Sequence, residues 1–204
     1  VRRQGDKIRT TMEMDELVAK CRSYRRFDAS APVSMAALKE LVSLARRVPS
    51  AANRQPLKYV LSCSPQMNER IFQTLSWAAY LKDWPGPTFE ERPAAYIVVL
   101  LDSDISQSAD IDVGIAAQTI LLAATAQGLG GCMLGAIRRE QLGEVLALPA
   151  SLSIALVIAI GKPVEKVVLE GLPLDGSIKY YRDPHGTHHV PKRSEEDLIQ
   201  AAYD

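Results

Sequence analysis

The chain has no surplus of either charge: 24 Lys and Arg stand against 24 Asp and Glu, for a net charge of zero. Neutralising a polyanion takes an excess of Lys and Arg, so no nucleic-acid partner is expected. Cysteine is scarce and odd in number. Cys21, Cys63 and Cys132 include no CxxC pair, which speaks against a disulfide framework or a zinc finger and for a reducing, cytoplasmic setting. No basic-then-apolar signal segment opens the sequence. The most apolar stretch, Ile111 to Gln127, carries Asp112, Gln118 and Thr119, so it reads as a buried helix and no membrane association is expected. The common catalytic signatures are missing too. There is no GxSxG and no HExxH, and Gly161-Lys162 runs into Pro163 without the upstream glycine of a P-loop. Gly128-Leu-Gly130-Gly131-Cys-Met133 lacks the third glycine of a dinucleotide loop and joins a helix to a strand, the reverse of that motif.

What is present is ordinary globular composition, 47% apolar and 24% charged over 204 residues, enough for one domain with a sizeable core. Residues 1–12 are polar and aperiodic and are expected to be a flexible leader, leaving 13–204 as a single domain. A first helix is expected from about Met14 to Arg22, with Leu17, Val18 and Cys21 on one face. Ser34 caps a second, whose Leu38, Leu41, Val42 and Ala45 recur at helical spacing until Pro49. Lys58 to Cys63 reads as a strand, and Ser64 with Pro65 opens another helix. Trp77 to Arg92, with two tryptophans and a Pro-Gly-Pro run, reads as an ordered loop or lid. Ala94 to Leu101 is a buried strand. Ile111 to Gln127 belongs in the core or at a subunit interface. Strands follow at Gly131 to Ile137 and Leu152 to Ile160, with a short helix at Glu140 to Leu146 between them. From Gly161 the chain reads as an extended arm ending in a helix capped by Ser194 and Asp197. Helices and strands mix without strict βαβ alternation, which predicts an α+β fold.

Three polar stretches could carry function. Arg22-Ser23-Tyr24-Arg25-Arg26 gathers three guanidiniums and a serine hydroxyl, suited to a phosphate or to the carbonyl edge of a heterocycle; a solvated charged turn explains it as well. Lys192-Arg193 precedes the Ser194 helix and admits the same two readings. Pro49-Ser50-Ala51-Ala52-Asn53-Arg54-Gln55-Pro56 offers paired amide donors and acceptors, or is a generic polar loop. His185, His188 and His189 could share a metal ion or form a polar turn; without a carboxylate or cysteine cluster at compatible spacing, no metal is expected. Cys132 is either a redox thiol or an inert buried one, and its apolar neighbours favour the second.

Taken together and in order, Arg22-Ser23-x-Arg25-x-Phe27, Pro49-Ser50-x-x-Asn53-x-Gln55-Pro56, Gly128-Leu-Gly130 leading to Leu134-Gly135, and the C-terminal basic pair resemble the FMN-dependent nitroreductase family, over about Met14 to Leu198. The resemblance implies an α+β sandwich with a central mixed or antiparallel sheet flanked by helices, in an intertwined homodimer with FMN at the subunit interface. It implies that Arg22, Ser23 and Arg25 bind FMN, Arg22 towards the phosphate and Arg25 beside the N1–C2 edge as electrostatic stabiliser of the reduced ring. Ser50, Asn53 and Gln55, with Pro49 and Ala51, would approach from the second subunit. Met133, Leu134 and Gly135 would line the other side of the ring and offer a backbone N–H to N5, while Lys192 and Arg193 complete the phosphate site. The implied activity is hydride transfer from NADH or NADPH to the flavin, then to a nitroaromatic, quinone or similar small acceptor, in ping-pong order with no catalytic side chain. Alternatives are a flavin-binding sensor or carrier without turnover, and a specialised reaction such as flavin destruction or reductive dehalogenation. Two departures stand out: Leu57 sits where many members have an aromatic, and the Trp77–Arg92 segment carries no family motif.

Overall fold

In a computed structural model the chain is described from residue 13 to residue 203, so the expected leader lies outside the described residues. The fold grows from one strand. β2 (Ala95–Asp102) is buried at six consecutive positions, and because strand side chains alternate, it feeds two cores at once. Ile97 and Val99 point to one face, and Tyr96, Val98 and Leu100 to the other. It pairs antiparallel with β1 (Leu57–Ser62) on one side and β4 (Leu152–Gly161) on the other, and β3 (Gly130–Leu134) closes the order β1-β2-β4-β3. The central sheet is therefore wholly antiparallel, not mixed.

Helices cover both faces. On the Ile97 face lie α2 (Met35–Ala45) and α4 (Asp110–Ala126), contributing Leu38, Leu41, Ala117, Ile120 and Ala124. The alanines let α4 approach closely. On the Tyr96 face, α3 (Pro65–Phe72) and α5 (Arg139–Val145) contribute Ile71 and Leu142, joined by Phe27 and Trp77. The expected caps form: Ser34 accepts from the Ala37 N–H at 3.1 Å and Ser64 from the Met67 N–H at 3.4 Å. α1 (Met14–Lys20) is short and buries no residue fully. No helix among the described residues is long and apolar enough to cross a membrane.

The glycines after α4 act by their lack of a side chain. Gly128, at φ +74°, ends the helix in the left-handed conformation. At Gly131 a Cβ would meet the Ala159 carbonyl oxygen at 2.5 Å and Leu121 Cδ2 at 2.6 Å. The run that superficially suggested a dinucleotide loop is a place where β3 is squeezed between β4 and α4.

Beyond Gly161 the expected arm is instead largely a second sheet. β5 (Val167–Gly171) pairs parallel with β7 (His188–Lys192), and the two-residue β6 (Tyr181–Arg182) pairs antiparallel on its other side. Prolines, glycines and charges mark its turns, which is why periodicity missed it. α6 (Glu195–Leu198) follows with its capping box, both bonds at 3.1 Å.

The three histidines diverge. His185 lies in a turn, while His188 and His189, consecutive on β7, point to opposite faces. His189 stacks on Tyr181 with centroids 4.7 Å apart, and its ring nitrogens meet Glu170 at 3.0 Å and Asp183 at 3.4 Å. The hydrogen bond to Glu170, seconded by Asp183, raises its pKa above 6.5. His188 is buried; burial, then Arg25 and Arg182, push it down to about 4. Among the described residues no His, Cys, Asp and Glu side chains gather as a metal site.

Two outcomes are expected from this packing. Gly131→Ala should cost about 1–3 kcal/mol through overpacking, whereas Gly143→Ala, on open helix surface, should gain roughly 0.5–1 kcal/mol; urea midpoints measure both. The histidines should act oppositely with pH. The contribution of His189 is complete below pH 6.5 and lost as pH rises through its folded pKa, while that of His188 is present above 6.5 and lost as pH falls towards 4. Thermal midpoints at pH 5 and pH 8 test this. His189→Asn should lower the pH 5 value relative to pH 8, and His188→Asn should raise it; equal changes would refute the assignment.

Candidate functional site

The segment Arg22–Phe27 is threaded between α1 and the sheets. Tyr24 donates its N–H to the Gly131 carbonyl at 2.9 Å, Ser23 bridges Gly131, and the fully buried Phe27 bridges Pro163. The turn at Arg25 is held by a carboxylate. Glu165, its side chain wholly buried, accepts the Arg25 N–H, the Arg26 N–H at 3.3 Å and Arg182 Nη2 at 3.1 Å. The segment that carries the predicted arginines is thereby tied to the strand that ends at Arg182.

Within that frame Arg22, Ser23 and Arg25 line one cavity of about 310 Å³ together with Lys192, Cys21, Tyr180 and His188. Arg22 donates from Nη2 to the Val18 carbonyl at 2.6 Å, closing the end of α1. The Arg25 guanidinium lies 4.8 Å from the centre of the Tyr180 ring, and its Nη1 is 3.3 Å from His188 Nε2. A guanidinium can only donate, so Nε2 is the acceptor and the proton of the neutral imidazole sits on Nδ1. That Nδ1–H has no partner, nor do the Nε atoms of Arg22 and Arg25. Three residues that line the cavity thus each carry a buried donor without a protein partner, where such groups are normally paired. Arg193 lies elsewhere, in a cleft with Glu170, Ser194 and Asp197 that it shares with Lys192.

The second set of expected residues lines different cavities. Pro49, Ser50 and Gln55 face one of about 180 Å³ with Tyr59 and Asp112; Ala51 and Arg54 face another of about 290 Å³. The loop between α2 and β1 makes a short 3₁₀ turn in which Ala52 (φ 50°) and Asn53 (φ 53°) are left-handed, followed by Gln55 (φ 52°). No described cavity contains both the Arg22 set and the Ser50 set.

Met133, Leu134 and Gly135 end β3. Leu134 is buried in the core on the Tyr96 face and Met133 is half-buried against the core on the Ile97 face, while Gly135, just past the strand, is exposed with open space where a Cβ would stand. Only backbone is available there for a ligand. Cys132 is buried, and burial raises its thiol pKa to about 11, as fits an inert thiol.

Three participants were not read from the sequence as site residues: Tyr180, His188 and Glu165. His188 had been seen only within the histidine cluster, and the strand alternation of β7 is the signal that separates it from His189. Tyr180 also contacts the Trp77–Arg92 segment. Its ring lies 4.9 Å from that of Tyr80, while Arg182 sits 4.6 Å above Trp84. The predicted lid thus abuts a wall of the arginine cavity.

Comparison with known proteins places the fold in a family. The model of the Nitroreductase family matches residues 18–162. A Methanothermobacter thermautotrophicus protein, whose description as an NADH dehydrogenase/NAD(P)H nitroreductase is provisional, is 27% identical over 162 residues, covering 76% of this chain and 79% of its own. A nitroreductase family protein from Streptococcus pneumoniae superposes with a TM-score of 0.66 at 19% identity, over 80% of this chain and 97% of its own. A structure from Exiguobacterium sibiricum solved in complex with FMN gives 0.64 at 18% identity, over 76% and 90%. With antiparallel sheet, flanking helices and arginine segment in place, and the family match spanning most of the fold, the chain belongs to the nitroreductase family.

Proposed function

We propose that this chain is an FMN-dependent oxidoreductase acting with NADH or NADPH on a nitroaromatic, quinone or similar small acceptor. The observation that carries the reading is the convergence of Arg22, Ser23, Arg25 and Lys192 on one cavity, in a family one of whose solved relatives holds FMN. Bound FMN would supply the redox chemistry, taking two electrons from the nicotinamide and passing them to the acceptor in ping-pong order.

The chain's own residues bind and orient. Arg22 and Lys192 bring positive charge suited to a phosphate, with Arg193 at the adjoining cleft, and Ser23 adds a hydroxyl. Arg25 is fixed by the Glu165 clamp on its backbone and by the Tyr180 face beside its guanidinium, which suits it to stabilising negative charge on a reduced ring. His188, neutral at pH 7, adds a donor without adding repulsion to the two arginines beside it. Gly135 leaves backbone open to a planar ligand. The Pro49–Gln55 loop, whose cavities include neither Arg22 nor Arg25, would complete the site from a second copy of the chain. An apolar stripe supports that assembly: Met14 and Val18 on α1, Ile111 and Ile115 on α4 are exposed, Ile111 to 74%.

The purified protein should be yellow, or become so with added FMN, and should bleach with NADH or NADPH. A protein that takes up no FMN refutes the reading, and a yellow one that neither nicotinamide reduces favours a sensor or carrier. Arg22→Ala should weaken FMN binding by about 1.5–3 kcal/mol, roughly ten- to hundred-fold in Kd by fluorescence titration. Unchanged affinity would remove Arg22 from the phosphate site.

A further inference from the structure

We infer that Asp112 is the positioning residue of the Pro49–Pro56 loop, its carboxylate acting through the Ser50 hydroxyl to present the Asn53 and Gln55 amides. The inference rests on the proposed function for the ligand those amides meet. It rests on geometry alone for the clasp itself.

Asp112 is the third residue of α4 and is buried, only 5% exposed. A buried carboxylate needs partners, and it finds them in the loop. Oδ2 accepts the Ser50 hydroxyl at 2.5 Å, and Oδ1 accepts the Ala51 N–H at 3.1 Å. Because a carboxylate only accepts, the Ser50 proton is committed to it. Ser50 Oγ then turns its lone pair to the Gln55 N–H at 2.9 Å. The Ser50 carbonyl takes the Asn53 N–H at 2.8 Å. One carboxylate on a rigid helix thus holds the first residues of the loop directly and the last through a single hydroxyl.

What the clasp holds is strained. Ala52, Asn53 and Gln55 all have φ near +50°, where L-residues other than asparagine and aspartate are seldom found. Such backbone persists only when the surroundings over-determine it. No glycine relieves it, so the restraint must come from hydrogen bonds. The position helps: the first turn of a 17-residue helix favours an anion. Ser50, which the family resemblance places against the flavin, has its proton and one lone pair already engaged. Its part is to transmit the hold of Asp112, while the exposed amides of Asn53 and Gln55 make the contacts.

The test pairs Asp112→Asn with Ser50→Ala and Ser50→Thr, each read by amide hydrogen exchange without ligand and by FMN titration. Ser50→Ala alters only the loop side and keeps the inference testable should the helix variant fold poorly. Expected results are faster exchange at Ala51 and Gln55 in Asp112→Asn, faster exchange at Gln55 in Ser50→Ala, and an FMN Kd raised about tenfold or more in both. Ser50→Thr, which keeps the hydroxyl, should return both quantities to near wild type, and Asp112→Asn/Ser50→Ala should be no weaker for FMN than the worse single variant. Wild-type exchange at Gln55 in the Ser50→Ala protein, or wild-type FMN affinity in both single variants, overturns the inference. Failure of the unaltered protein to take up FMN would count against the proposed function instead, and the exchange measurements would still decide the clasp.

Discussion

The wholly buried carboxylate of Glu165 is the constraint on which the arginine cavity depends. Taking a carboxylate out of water costs several kcal/mol even after relaxation, and only dense pairing offsets that. Here two consecutive backbone N–H groups and the Arg182 guanidinium supply the pairing. The three donors come from two distant stretches of chain, the turn after α1 and the strand β6. Joining them closes the cavity between the main body and the small sheet. Arg182 pairs with the anion through its guanidinium, whereas Arg25 and Arg26 are held through their backbone N–H groups. Arg25 is thereby fixed at its backbone beside His188, which burial first and then the two arginines keep neutral at pH 7.

The balance explains a division of labour along the chain. The central sheet needs only apolar alternation about β2 and close approach at Gly131, and it carries no exposed chemistry of its own. The polar work is delegated to segments hung on its margins: the arginine turn bridged to β3, the loop leading into β1, and the small sheet beyond β4. Each is tied back by a buried or half-buried carboxylate, Glu165 for the arginine turn and Asp112 for the loop, with Glu170 and Asp183 bracing His189 in the small sheet.

This division also sets what the sequence could reveal. Runs and periods announce helices and buried strands, so α2, α4, β2 and β4 are legible, as are the Ser34, Ser64 and Ser194 caps. The arginine, Ser-Asn-Gln and basic-pair motifs are legible as local clusters. The small sheet is not. Its strands are two to five residues long, and its pairing joins Val167 to His188 across an intervening excursion, so no local period marks it. Glu165 and Tyr180 escape for a related reason: each is a lone residue whose partners lie far away in sequence. Arg193, just beyond the end of β7, lines a cleft together with Lys192, and Lys192 alone of the two also lines the arginine cavity.

The separation of the arginine cavity from the Ser50 loop follows from the same geometry. α4 runs under the loop at its N-terminus and delivers Gly128 and β3 beside the arginine turn at its C-terminus. Seventeen helical residues at about 1.5 Å each make α4 roughly 25 Å long, and the arginine cavity meets it midway, where Cys21 Sγ lies 3.8 Å from Gln118 Nε2, about 9 Å along the axis from Asp112. The two regions nonetheless open into separate cavities. In the proposed assembly a partner's Ser50 loop would complete the arginine cavity of this copy, and the exposed Ile111 and Ile115 of α4 are the apolar surface available for that pairing.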